Sequence, residues 1–142
     1  MKALYEGEGI KKLLPQREPI IMVDRYYGIE DEVSYSALTI KEDNIFCQNG
    51  CMRESGMVEH MAQSAAAYIG YNDLKLGNPI SLGFIGTIDD LQINFLPKVG
   101  QKLETKVFTL QVVMVVILVK IETYVDGQLA ASCKMKVYQK KD

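Results

Sequence analysis

The chain has 142 residues, 48% of them hydrophobic and 24% charged, with a net charge of -2. That length favours one domain spanning 1–142 with a core that needs no disulfide or metal, and the small net charge gives no electrostatic reason to expect nucleic acid. Three sparsely placed cysteines suit free thiols in a reducing compartment, so a cytoplasmic location is expected. The N-terminus lacks an apolar stretch of export-signal length, and the longest apolar run, Val112 to Val119, falls far short of the roughly 18 residues of a membrane span.

In chain order, Ile10, Leu13 and Leu14 form the apolar edge of a short helix that Pro15 must end, because the residue before a proline is pushed out of the α region. Two strands follow in "PIIMVDRYYGIE" and "EVSYSALTI", the second alternating from Val33 through Tyr35 and Ala37. Residues 41–55 have no periodicity and carry the pair Asn49-Gly50, which reads as a long loop of functional length. Ser55 is placed to cap a helix from about Gly56 to about Gly70, in which Met57, Val58, Met61, Ala62, Ala65, Ala66 and Ile69 recur at helical spacing. Its alanines leave room for a sheet to approach closely. From Gly77 onward the pattern predicts three long strands, with Lys102 to Val125 as one of them and an Asp126-Gly127 hairpin turn before the last. Val112 to Val119, apolar on both faces, is expected in mid-sheet or at an interface. The class is α+β, one long helix against one antiparallel sheet.

Three separated segments carry a family likeness. "LLPQREPIIMVDR" (13–25) resembles Leu-Pro-His-Arg-x-Pro-Phe-Leu-Leu-Val-Asp-Arg of the hotdog-fold 3-hydroxyacyl-(acyl carrier protein) dehydratases. "VEHMAQSAA" (58–66) is similar to their helical Glu-Ala-Met-Ala-Gln, and "GTIDDLQINFLPKVGQKL" (86–103) to their Gly-Ile-Asp strand with its following Pro-x-x-x-Gly turn. The resemblance implies a hotdog fold: a long central helix wrapped by a curved antiparallel sheet, with a short N-terminal helix before it. It also implies subunits paired side by side, with acyl-thioester sites at the dimer interface and no cofactor or metal. The implied partners are an acyl carrier protein or coenzyme A thioester and a second copy of the chain, with a dimer of dimers or a hetero-oligomer also compatible.

In that family a loop histidine removes the α proton of the 3-hydroxyacyl thioester and the helix glutamate of the other subunit protonates the departing hydroxyl. Glu59 falls on that glutamate and Gln63 on the glutamine one turn later, but residues 45–56, "IFCQNGCMRESG", hold no histidine. The loop, with Gly50 nine residues before Glu59, is closer to the dehydratase-like hotdog proteins of aryl-polyene and related pigment pathways.

The residues themselves define a candidate site. Shielding of Glu59 between Val58 and Met61 would favour the neutral, proton-donating form that a general acid requires, whereas a solvated carboxylate on a polar stripe is the plain alternative. Gln63, one turn on, either orients that carboxylate or makes a structural hydrogen bond. Gly56, at the helix N-terminus, is a candidate to present its backbone N–H to a thioester carbonyl, with Asn49 and Gly50 as further substrate contacts from the loop. His60, the sole histidine, projects away from Glu59 and reads as packed or interfacial. Cys47 and Cys51 have too few companions for a metal site. Three activities remain: a dehydratase using Glu59 as acid, a thioesterase using it as nucleophile or base, or a subunit that lends Glu59 to an active partner.

Overall fold

The computed structural model describes residues 1–140. Strand β1 (Tyr5–Glu6) leads into a 3-10 turn over Gly7–Lys12, followed by β2 (Arg25–Glu30) and β3 (Val33–Thr39). Two short strands, β4 (Cys47–Gln48) and β5 (Cys51–Met52), precede helix α1 (Glu54–Lys75), and β6 (Leu82–Ile93), β7 (Lys102–Val113), β8 (Val116–Val125) and β9 (Gln128–Lys140) complete the chain. Seven strands form one sheet in the order β1-β2-β3-β7-β8-β9-β6, every pairing antiparallel.

The 22 residues of α1 run about 33 Å, at about 1.5 Å per residue, across this sheet. Met57, Met61, Ala65 and Ile69 pack on Val107, Val119, Ile121 and Met135 of the sheet. The opposite side of the helix is covered by the N-terminal segment, where Ile10, Leu13, Leu14 and Tyr26 close over Ala67. A helix enclosed on both sides must be apolar nearly all round, which the Ala- and Met-rich sequence supplies. This is the wrapped-helix, α+β architecture that the family likeness implied.

Four expectations need correction. The N-terminal helical turn is 3-10 and closes at Lys12, with Ile10, Leu13 and Leu14 buried as expected. The long helix starts at Glu54 and has no side-chain cap, so Ser55 lies inside it, and its C-terminal end extends to Lys75 before Gly77 leaves the helix at φ +74°. The 41–55 loop contains a small hairpin whose turn is Asn49-Gly50, both at positive φ. Finally, Lys102 to Val125 is two strands, not one. The chain reverses at Met114, which takes φ +56° without a glycine or asparagine to signal it.

That reversal puts Val112, Val113, Met114 and Val115 on an exposed hairpin tip, Met114 with 90% of its surface in solvent, so only the second half of the apolar run, Val116 to Val119, lies in mid-sheet, with β8 between β7 and β9 and Val119 buried. Strand β6 is also apolar and exposed. It pairs with β9 on one side only, and Phe84, Ile85, Ile88 and Leu91 are each at least 40% exposed. Long apolar edges of this kind invite pairing with another chain.

Candidate active site

Glu59 and Gln63 lie one turn apart on α1, near its N-terminal end. The Gln63 side chain is fully buried and every polar group on it is used. Its Oε1 accepts the Met22 backbone N–H, while its Nε2 donates to the Ile20 carbonyl at 2.9 Å and to Glu59 Oε2 at 2.8 Å. Two backbone groups therefore fix which way the amide faces: a flipped Gln63 would set oxygen against the Ile20 carbonyl and NH2 against the Met22 N–H. Gln63 must donate to Glu59, and a proton carried by that carboxyl belongs on Oε1, which has no hydrogen-bond partner among the described residues. Glu59 is half-buried, neither sealed in the core nor free in solvent.

His60 points the other way and is wholly buried. Its Nδ1 contacts the Met22 carbonyl at 2.6 Å and its Nε2 the Thr105 hydroxyl at 2.7 Å. Burial lowers its pKa from 6.5 to about 4, only partly offset by the bond to Met22. With both nitrogens engaged and no path to solvent, His60 does not replace a loop base.

The loop residues have local roles. Asn49 and Gly50 form an exposed turn, and the Gly50 carbonyl accepts the Val99 N–H at 3.0 Å. The Gly56 N–H expected to face a thioester is instead bonded to the Arg53 carbonyl at 3.0 Å in the first helical turn. A Cβ at Gly56 would strike Phe46 and Met52, so close packing accounts for that glycine. Cys47 and Cys51 are free thiols, and burial, with the neighbouring Cys51, pushes the Cys47 pKa up, against a thiolate base.

Ile21 and Met22 also border a cleft of about 500 Å³ whose lining includes Asp24, Leu38, Thr39 and Asn44. Glu59 is not among its lining residues. Asp24 accepts the Thr39 N–H at 3.0 Å through Oδ2, its Oδ1 is buried without a partner, and desolvation raises its pKa. Sequence reasoning placed Asp24 in a motif without giving it a role. It missed Thr105 and Thr123 altogether, since only the folded sheet brings them to His60.

A family model for the ApeP dehydratase, ApeP-like, matches residues 8–142. Among curated proteins none matches the sequence. In fold, the chain is similar to a chain of the dehydratase heterocomplex ApeI:P from Xenorhabdus doucetiae, with TM-score 0.85 and 17% identity over 94% of this chain and 91% of that one. It is similar to Cj0977, a sigma28-regulated virulence protein from Campylobacter jejuni, with TM-score 0.70 and 14% identity over 97% and 94%. A third likeness is to a hypothetical thioesterase with coenzyme A from Streptococcus pneumoniae TIGR4, with TM-score 0.65 and 8% identity over 82% and 85%. With the family match running from the N-terminal turn to the last strand, the chain belongs to the ApeP-like dehydratase family.

Proposed function

We propose that this protein is an acyl-thioester-binding dehydratase subunit in fatty-acid or polyene-type biosynthesis, in which Glu59 is the general acid and the base comes from a second hotdog chain. The observation that carries the reading is the Gln63–Glu59 bond at 2.8 Å, whose direction leaves Oε1 as the position for a transferable proton. In the reaction a base takes the α proton of a 3-hydroxyacyl thioester and the carbon–oxygen bond at C3 breaks. The Glu59 proton joins the departing hydroxide as water, leaving the enoyl thioester.

The need for a partner rests on two features. Among the described residues this chain offers no solvent-accessible histidine, since the only one is buried and bonded at both nitrogens. The open β6 edge gives another sheet a strand to pair with. The similar Xenorhabdus chain belongs to a dehydratase heterocomplex, which supports a hetero-oligomer, and a homodimer would use the same edge.

The test is to assay the purified protein, alone and with a histidine-bearing hotdog chain from the same genome, on 3-hydroxyacyl and saturated acyl thioesters. Enoyl product that appears only in the mixture, and falls by about 10² to 10⁴ with Glu59→Gln in this chain, supports the reading. Free thiol released from saturated thioesters by this chain alone would replace it with a thioesterase. Full enoyl formation by the Glu59→Gln mixture would remove Glu59 from the chemistry.

A further inference from the structure

The hydrogen positions around His60 follow from its neighbours. The Met22 carbonyl can only accept, so Nδ1 carries the hydrogen in the 2.6 Å contact. A wholly buried imidazole flanked by neutral groups is itself neutral, so Nε2 is bare and accepts the Thr105 hydroxyl hydrogen at 2.7 Å. Thr105 then has no hydrogen left for Thr123, and its oxygen accepts from the Thr123 hydroxyl at 2.7 Å. The chain Thr123 to Thr105 to His60 to Met22 runs in one direction: the Met22 carbonyl sets the tautomer, and the two threonines on neighbouring strands align with it.

Met22 is also the residue whose N–H bonds Gln63, and Ile20 accepts from the same amide. Helix α1 thus holds the short segment Ile20–Met22 at three backbone groups, two through Gln63 and one through His60, and the Ile20 N–H bonds the Arg17 carbonyl in a local turn at 3.0 Å. The segment lies outside the sheet, so no strand neighbour fixes it. The amide that donates to Glu59 is therefore only as well placed as this segment.

We propose that His60 is a positioning residue for Glu59: by gripping the Met22 carbonyl it holds the segment that orients the Gln63 amide, and so fixes the Glu59 carboxyl. The role rests on Glu59 being the acid, but its geometry can be read without any turnover. The roles divide along the helix, with His60 tying α1 to the sheet and to Met22 while Gln63 ties Met22 to Glu59. The adjacent Glu59 and His60 face different ways because they act through this common segment.

The experiment uses the full chain, labelled with 15N, and its partner for kinetics. The His60 ring is expected as the Nδ1–H tautomer. The Gln63 side-chain amide protons should exchange slowly. His60→Asn, which puts an amide N–H near the Nδ1 position, should keep the Gln63 signals and their slow exchange. His60→Leu should speed that exchange at least about tenfold and, with the partner present, lower kcat by about ten- to a hundredfold with little change in KM. Should His60→Leu not fold, Thr105→Val gives the milder test: it removes the donor to Nε2 and leaves the bond to Met22 as the ring's polar anchor, so the Nδ1–H tautomer should persist while the Gln63 exchange speeds by less than in His60→Leu. A lower melting temperature in these variants with unchanged Gln63 signals and exchange would overturn the proposal and leave His60 a packing residue. The expected amide changes without turnover in any mixture would support the positioning role and defeat the dehydratase reading alone.

Discussion

The Leu13 carbonyl lies so close to Gly70 that no Cβ fits between them. This contact sets the N-terminal segment directly on α1, and from there the chain runs on to Ile20 and Met22 over Gln63. Because the obstacle is backbone, it cannot rotate aside as a side chain would. Gly70→Ala is expected to destabilise the protein by about 1–3 kcal/mol, as overpacking does. Gly77→Ala provides a comparison of another kind, since space is open there and only the positive φ is strained. Denaturant melts of the two variants measure the difference, and an unaffected Gly70→Ala would show that the segment can lift away.

Stability should depend on His60 in acid. Its folded pKa of about 4 lies below the ordinary 6.5, so the unfolded chain takes up a proton that the native one refuses. The His60 contribution is complete above pH 6.5, declines as the pH falls through the interval down to about 4, and changes no further below that. The 2.5-unit interval amounts to about 3 kcal/mol, at about 1.4 kcal/mol per unit. Unfolding free energies of wild type and His60→Asn between pH 7 and 4 should converge, because the variant lacks the titrating ring.

Gln63→Glu tests the fixed direction of the amide. The new carboxylate would face the Ile20 carbonyl and the Glu59 Oε2 where two N–H groups now point. A loss of more than about 2 kcal/mol at neutral pH is expected, larger than for a neutral buried hydrogen bond. Equal stability in chemical denaturation would mean that the amide tolerates reversal.

The β6 edge predicts an effect on assembly. Ile88→Lys adds a charge to an exposed apolar edge, a substitution that leaves the core untouched and opposes strand pairing. Association through this edge should weaken at least tenfold, or about 1.4 kcal/mol, in sedimentation of the chain alone and with its partner. Met114→Lys, at the 90% exposed hairpin tip, is the companion variant and should leave edge pairing unchanged.

Alternation in β3, helical spacing from Met57 to Ile69 and the Asp126-Gly127 turn yield the α+β architecture, because each depends on periods and turn residues a few positions apart. The same local logic missed the reversal at Met114, where the sequence Val-Val-Met-Val-Val contains no turn residue and the hairpin is imposed by pairing of β7 with β8. The Gln63–Glu59 contact was legible because one-turn spacing is a property of the helix alone, while the roles expected of the two side chains came from the family likeness. What the amide does was not, since its direction comes from Ile20 and Met22, about forty positions away in the chain. His60 presents the sharpest division. Its identity and position on the helix are in the sequence, but its neutrality comes from burial and its tautomer from the Met22 carbonyl, with Thr105 on the other nitrogen; these partners, 38 and 45 positions away, meet the ring only when the sheet closes on the helix.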